Sequence, residues 1–133
     1  MSNTTQERIS TNVVNWFEIP VSNLAASTRF YEAMLDTKLA LSELGGVPHA
    51  VLTNKDHSCV SGALIADPKR PPRSGSGTVI YLDAKDGVER CLSRAVEAGA
   101  RVVLPPTEIG PNGTIALIED LDGNVIGLHT NPK

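Results

Sequence analysis

Hydrophobic and polar residues alternate along residues 13–21, and this period of two predicts a β-strand. The next segment, 24–35, places apolar side chains at the spacing of an α-helix. Ser22 or Asn23 stands directly before it and supplies a side-chain oxygen for the N-cap. The chain therefore opens with a predicted strand that is followed directly by a predicted helix.

The same pattern occurs a second time further along the chain. Residues 78–83 form another predicted strand, and Asp86 is expected to cap a predicted helix over 87–98. Gly99 follows this helix and suits a left-handed C-terminal cap. A chain that repeats one strand–helix unit is expected to place the two copies about a pseudo-twofold axis. The groove between the copies is then a natural ligand site.

Further strands complete both copies, and they are predicted at 39–44, 49–53, 60–66, 101–104, 114–119 and 125–130. Pro105 and Pro106 are expected to stop the strand that precedes them. Residues 107–113 are interpreted as a loop, of which 107–112 are either a flap over the groove or plain loop, and 120–124 as a tight turn. We therefore divide a single domain, 1–133, into a β-α-β-β-β module at 12–67, a linker at 68–77 and a second such module at 78–130.

Composition places the chain among soluble globular proteins, with 41% hydrophobic and 20% charged residues. A net charge of −3, with no basic cluster beyond Lys69, Arg70 and Arg73, argues against a nucleic-acid partner. No apolar stretch approaches the roughly 20 residues that span a bilayer, so no membrane partner is expected. Cys59 and Cys91 are too few for a disulfide framework and indicate reduced, partly buried thiols in a cytoplasmic protein.

The first predicted strand has two chemically different faces. Phe17, Ile19 and Val21 share the face that suits packing under a helix, whereas Trp16 and Glu18 share the other. A tryptophan beside a carboxylate indicates a pocket wall, where Trp16 stacks on a planar ligand or fills the cavity floor. Glu18 is a candidate catalytic general base, a hydrogen-bond acceptor for a ligand or a member of a structural ion pair. If Glu18 is buried beside Trp16, desolvation should raise its pKa.

Residues of the second copy complete the candidate ligand-binding set. Tyr81 takes the place of Glu18 in the repeat, and its phenol is a hydrogen-bond donor that complements a carboxylate. Asp83 and His129 would join them in a polar cluster or a weak metal site. The alternative is that His129 is a partly exposed histidine without a role. The remaining histidines have no companions at ligand spacing and receive no role: His49 and His57.

Two segments of the chain carry a family resemblance. The opening contains Pro20-Val21-Ser22-Asn23-Leu24, then Phe30-Tyr31-Glu32 and Leu35, and the closing segment contains Asp120-Leu121-Asp122-Gly123-Asn124 before Val125-Ile126 and Leu128. Together they resemble the vicinal oxygen chelate superfamily, which includes glyoxalases, bleomycin-resistance proteins and ring-cleaving dioxygenases. The resemblance spans 12–130, and residues 16–21 and 108–110 are similar to a branch related to lactoylglutathione lyase.

The resemblance implies an α+β fold in which paired β-α-β-β-β modules form a curved mixed sheet around a cavity. Members that bind a metal carry His, Glu or Gln ligands on strands that face this cavity. The corresponding positions hold Trp16, Val79 and Gly127, and the segment 60–66 contains no His, Glu, Gln or Asp. Because these residues offer a divalent cation no side-chain donor, no cofactor is expected, with a divalent metal ion as the alternative.

The resemblance leaves functions of different kinds open. One is a binding protein that holds a small planar or amphipathic molecule in the cavity between the modules, next to Trp16, Glu18 and Tyr81, without the usual metal. Another is a lyase similar to lactoylglutathione lyase, an isomerase or a dioxygenase-type enzyme with a non-standard set such as Glu18, Asp83 and His129. The third is a structural dimer without a ligand. The expected partners are a small molecule and a second copy in a homodimer.

Overall fold

The computed structural model describes residues 16–52, 60–75 and 77–132, and these form two modules of one helix and four strands each. The N-terminal module consists of β1 (Trp16–Pro20), α1 (Leu24–Leu35), β2 (Ala40–Leu44), β3 (Val47–Leu52) and β4 (Ser61–Ile65). The C-terminal module consists of β5 (Tyr81–Asp83), α2 (Val88–Glu97), β6 (Arg101–Glu108), β7 (Thr114–Glu119) and β8 (Val125–Thr130). A 3₁₀ turn, Gly110–Asn112, connects β6 to β7.

The two sheets have the same topology. Their strand orders are β1-β4-β3-β2 and β5-β8-β7-β6. In each sheet the first and last strands of the module, β1 with β4 and β5 with β8, are parallel, and the other neighbours are antiparallel. The predicted α+β fold of paired modules is therefore confirmed, with the strands divided between two four-stranded mixed sheets in which β1 and β5 are edge strands.

One hydrophobic core joins the modules. Helix α1 packs against α2, and the largest buried side chains come from both modules: Tyr31, Met34, Leu64, Ile65, Cys91, Ile118 and Leu128. The thiol of Cys91 donates to the carbonyl oxygen of Met34 at 3.3 Å, and burial raises the pKa of this thiol to about 11. Cys91 is thus a free, buried thiol, whereas Cys59 and His57 lie outside the described residues. No helix among the residues described is long and apolar enough to cross a membrane.

The predicted cap of α1 is confirmed and that of α2 is wrong. Asn23 Oδ1 accepts a hydrogen bond from the Ala26 N–H at 3.0 Å. At α2 the N-cap residue is Gly87, with a φ of 110° that favours glycine, and no side chain caps the helix. The carboxylate of Asp86 instead accepts two hydrogen bonds from Arg94, at 2.7 and 3.0 Å, which lower the pKa of Asp86.

The prediction that Pro105 and Pro106 stop a strand is also wrong. The strand β6 continues through both prolines to Glu108. It tolerates them because one of the two missing N–H groups faces the open side of this edge strand, and both prolines lie between Leu104 and Thr107, where the pairing with β7 is interrupted. Two register shifts against β7 accommodate the irregular backbone. The segment predicted as a loop therefore begins after Glu108.

The remaining boundaries differ from the predictions by a few residues. β5 is limited to Tyr81–Asp83, shorter than the predicted 78–83. The described part of the first strand ends at Pro20, and the first residues predicted for it lie outside the described chain. The other strands lie where the alternation of apolar residues predicts them, and the turn at 120–124 precedes β8 as expected.

Candidate functional site

The turn before β8 is bound to the N-terminal module by hydrogen bonds around Asp120. Its Oδ2 accepts from the hydroxyl of Tyr31 at 2.7 Å and from Asn124 Nδ2 at 2.9 Å. Its Oδ1 accepts from the backbone N–H groups of Asp122 and Asn124, both at 2.9 Å. Asn124 Nδ2 also donates to the carbonyl oxygen of Pro20 at 2.9 Å. These contacts bring the start of β8 to the end of β1.

Two cavities lie between the modules, beside the edge strands β1 and β5. The larger cavity measures about 570 Å³, and its apolar walls include Phe17, Leu35, Leu52, Ile80, Tyr81 and Leu82. Thr37, Asp83 and Lys85 are its polar lining residues. The smaller cavity measures about 140 Å³ and includes Glu18, Ile19, Arg73, Asn124 and Val125. The larger cavity has the size and the apolar lining typical of a small-molecule pocket.

The structure distributes the sequence-predicted site residues over different places. Tyr81 and Asp83 line the larger cavity and Glu18 the smaller one, whereas Trp16 and His129 are outside both described linings. His129 lies opposite Asp83 in the parallel pair of β8 and β5. Its Nε2 is 2.6 Å from the carbonyl oxygen of Asn112, to which it donates. Asp83 and His129 are thus brought together, and Glu18 lies in the other sheet.

Tyr81 lies across a glycine of the neighbouring strand. It is paired with Gly127 of β8, and a Cβ atom at Gly127 would lie 2.6 Å from Cε1 and 2.7 Å from Cγ of the Tyr81 ring. The same arrangement occurs in the N-terminal module, where a Cβ at Gly62 would lie 2.5 Å from three ring atoms of Phe17. The larger cavity is therefore lined by one such aromatic ring from each module.

Glu18 is bound by contacts that make it a stable anion. Arg70 donates from NH1 to Oε1 at 2.7 Å, and the indole Nε1 of Trp16 donates to Oε2 at 3.1 Å. The hydrogen bond from Arg70 is the main cause of a lowered Glu18 pKa, and it outweighs the opposing effect of desolvation. Desolvation acts in the predicted direction, but the predicted rise of the Glu18 pKa is wrong, because the pKa is lowered overall. Arg70 also donates from Nε to Asp67 at 3.2 Å, so this linker residue contacts two carboxylates, one of them Glu18 of β1.

His49 is a neighbour of Glu18 that the sequence analysis missed. It is 4% exposed, and its Nε2 lies 3.7 Å from Glu18 Oε2, a partner that the spacing of residues along the sequence does not reveal. Its Nδ1 is 2.7 Å from the carbonyl oxygen of Val47 and donates to it. The signal that would have found this pair is the strand order, because β4 alone separates β1 from β3.

A family model for the glyoxalase/bleomycin resistance protein/dioxygenase superfamily matches residues 13–128. The chain belongs to this superfamily. Three solved structures illustrate the shared fold. A glyoxalase/bleomycin resistance protein from Albidiferax ferrireducens T118 is 18% identical, with a TM-score of 0.70 and coverage of 91% of this chain and 100% of that chain. A glyoxalase I mutant from Zea mays is 22% identical, with a TM-score of 0.70, and the match covers 88% of this chain and 45% of that chain.

The third structure is TnmS3, an antibiotic binding protein from Streptomyces sp. CB03234. It is 28% identical, with a TM-score of 0.62, and the match covers 92% of this chain and 98% of that chain. A search of curated proteins found no match to this chain. The comparisons therefore establish the superfamily, and they leave the ligand to be argued from the site itself.

The residues at the metal-ligand positions of the superfamily do not fit a divalent cation. Trp16, Val79 and Gly127 supply no donor atom, and the ring of Tyr81 fills the space that a side chain at position 127 would need. The carboxylate of Glu18 already accepts from a guanidinium and an indole. Within the described ranges, no three His, Cys, Asp or Glu side chains are close enough together to hold an ion.

Proposed function

We propose that this protein binds a small, largely apolar molecule in the larger cavity between its modules and that it does so without a metal ion. The observation that carries the proposal is the cavity itself, with a volume of about 570 Å³ and apolar walls from both modules. Pockets of this size and lining bury most of the surface of a small organic ligand. The polar groups at its wall, on Asp83, Lys85 and Thr37, are few enough to orient a ligand rather than to solvate it.

The comparison with TnmS3 supports binding as the activity. That protein is named as an antibiotic binding protein, and it is 28% identical to this chain over nearly all of both chains. The lack of donor atoms at Trp16, Val79 and Gly127 supports the metal-free part of the proposal. The proposed ligand is therefore defined by its chemical class, a small and largely apolar molecule.

The geometry favours binding over a lyase, isomerase or dioxygenase-type activity. A general base works best when its pKa lies near the working pH, and the hydrogen bond from Arg70 lowers the pKa of Glu18 instead. Asp83 and His129 lie on β5 and β8, in the other sheet from Glu18. The candidate catalytic residues are thus divided between the modules, and the Glu18 carboxylate is already paired with Arg70.

The test uses a variant that fills the cavity. Val79 is a partly buried residue in the wall of the larger cavity, and the indole of a Val79→Trp variant should occupy much of the cavity volume. Val103→Trp is the matched control, because Val103 is 49% exposed on β6 and lies outside the described lining of the cavity. Binding of two neutral probes, 2-naphthol and 1-adamantanol, is measured by calorimetry for each protein.

We expect the wild-type protein and the Val103→Trp variant to bind the probes equally well, and Val79→Trp to bind them at least about tenfold more weakly, a loss of about 1.4 kcal/mol. Equal binding by all three proteins, or no binding by the wild type, would contradict the proposal. Elemental analysis of protein purified without chelators tests the metal-free part, which one equivalent of a transition metal per chain would overturn.

The homodimer and the cytoplasmic location stay predictions of the sequence analysis. Native mass spectrometry of the purified protein measures the subunit number and any ligand carried through purification. Fractionation of the source cells measures the location. A monomer at working concentration would contradict the predicted homodimer. It would leave the proposed binding unaffected, because both walls of the cavity belong to one chain.

A further inference from the structure

We propose that the larger cavity selects flat, conjugated ring systems and that Tyr81 is the residue that selects them. This inference rests on the proposed function, because it names the class of ligand for the same cavity. It starts from the contact between Tyr81 on β5 and Gly127 on β8, which are directly paired in the sheet.

Glycine is required at position 127 by the position of the Tyr81 ring and not by the backbone conformation. Gly127 is absent from the residues with positive φ, so its backbone conformation is one that any residue adopts. What an added side chain would meet is the Tyr81 ring, with Cε1 at 2.6 Å and Cγ at 2.7 Å from the Cβ position. The ring therefore occupies the volume that every other residue type would fill.

This position fixes the orientation of the ring. One side of the Tyr81 ring lies against Gly127, which is buried beneath it. The side chain nevertheless remains 48% exposed and lines the larger cavity. A ring that is supported on one side and open on the other offers a flat surface to a ligand, with little freedom to turn edge-on.

Phe17 repeats the arrangement in the other module. Its ring lies across Gly62 of β4, with three ring atoms at 2.5 Å from the Cβ position, and it lines the same cavity. A ligand in the cavity therefore meets aromatic surfaces from both modules. Aromatic pairs in offset or edge-to-face contact gain more than their buried area alone provides. A flat conjugated ligand can make such contacts, whereas a rounded aliphatic ligand of equal carbon number cannot.

The experiment compares 2-naphthol with 1-adamantanol, which are neutral alcohols with the same number of carbon atoms. Both are uncharged at neutral pH, and any hydrogen bond of their hydroxyl groups with Asp83 or Lys85 at the cavity wall is available in all three proteins, so it cancels when the variants are compared. The measured quantity is the ratio of the two dissociation constants, and it is compared among the wild type, Tyr81→Phe and Tyr81→Leu. Tyr81→Phe keeps the ring, and Tyr81→Leu keeps apolar bulk without a flat surface.

We expect Tyr81→Phe to keep the wild-type ratio and Tyr81→Leu to lower the preference for 2-naphthol about three- to tenfold. Binding of 1-adamantanol should change little in either variant. If the wild type binds neither probe, the proposed function itself fails. If it binds both and Tyr81→Leu keeps the wild-type ratio, only the selection by Tyr81 is refuted.

Gly127→Ala provides an independent test of the ring position. The added methyl group should displace the Tyr81 ring and lower the preference for 2-naphthol, although residue 127 itself lies outside the described lining of the cavity. In the Tyr81→Leu background the same substitution should have no further effect, because the flat ring is already lost. An equal effect of Gly127→Ala in both backgrounds overturns the inference. If Gly127→Ala does not fold, the comparison of Tyr81→Phe with Tyr81→Leu decides alone.

Discussion

Replacing Tyr31 with phenylalanine removes a single hydroxyl group from the contact that joins the two modules. Tyr31 on α1 is fully buried, and its hydroxyl donates to Asp120 Oδ2 at 2.7 Å. The ring itself packs edge-to-face against Phe30, with the ring centroids 5.1 Å apart, and phenylalanine can keep this contact. The substitution Tyr31→Phe therefore tests the hydrogen bond with little change in packing.

The expected loss follows from the partners that Asp120 retains. A hydrogen bond to a charged group contributes about 1.5–3 kcal/mol to stability. After the substitution the Asp120 carboxylate still accepts from the backbone N–H groups of Asp122 and Asn124 and from the Asn124 side chain. Because the carboxylate is not left without partners, we expect the lower part of this range, about 1.5–2 kcal/mol. For a domain of this length, the melting temperature should fall by about 5–7 °C.

The same contact predicts a pH dependence. Burial is the main cause, and the neighbouring Asp120 carboxylate the second, of a Tyr31 pKa raised well above its ordinary value of 10.0. Above that pH the unfolded chain loses the phenol proton while the folded protein keeps it, so the unfolded state binds fewer protons. Stability then falls as the pH rises. The Tyr31→Phe variant lacks this proton, and its deficit relative to the wild type should shrink above pH 10.

Urea unfolding followed by circular dichroism at neutral pH and at about pH 10.5 measures both effects. The matched control is Tyr81→Phe, which removes a hydroxyl from a half-exposed ring and should change stability by less than about 0.5 kcal/mol. Equal losses for the two variants would refute the assignment of the energy to the buried bond. A deficit for Tyr31→Phe that stays constant or grows with pH would refute the reasoning about its pKa.

Two further predictions concern single contacts elsewhere in the fold. Arg70→Gln should raise the pKa of Glu18 toward its ordinary value of 4.5, measured by NMR titration of the side-chain carboxyl carbon; an unchanged value would contradict the role of the guanidinium. The lowered pKa of Glu18 stabilises the folded protein at a pH above 4.5, and this contribution is lost as the pH falls further. The Arg70→Gln variant should therefore lose less stability on acidification than the wild type does. Gly113→Ala should cost at least about 3 kcal/mol, because a φ of 103° is combined with overlap between the new methyl group and the carbonyl oxygen of Thr130. The control Gly46→Ala, with a φ of 79° and no atom within 4 Å, should cost only about 1–2 kcal/mol, and equal melting temperatures would refute the overlap.

The elements of this fold could be predicted where their cause is local. The N-cap of α1 depends on Asn23 and on an N–H group three residues away, so the sequence contains the whole interaction. The turn at 120–124 likewise depends on neighbouring residues. The path of β6 through Pro105 and Pro106 has a different cause. Whether a proline stops a strand depends on whether the strand lies at an edge, and the strand order is a property of the whole sheet.

In the candidate site too, contacts within one strand could be predicted, whereas contacts between distant segments could not. Period-two alternation placed Trp16 beside Glu18, and the structure joins them by a hydrogen bond. The main cause of the lowered Glu18 pKa comes from elsewhere, since Arg70 belongs to the linker, and His49 approaches from β3 across an intervening strand. Burial does raise the carboxyl pKa, but the hydrogen bond from Arg70 outweighs it, and this donor could not be predicted without the fold. The direction of the Glu18 shift was therefore beyond the sequence.

The missing metal ligand at position 127 and the aromatic wall at position 81 have one structural cause. The two positions are paired across parallel strands, and the volume that a side chain at 127 would fill is occupied by the ring of Tyr81. A carboxylate at 127 would have to displace that ring, so the pair can supply a donor for a cation or a flat surface for an organic ligand, but not both. With glycine at 127, this chain has the flat surface. The same geometry that argues against a metal ion therefore argues for an aromatic contact in the cavity, which is why Tyr81→Leu is the variant that separates the proposed ligand class from its alternatives.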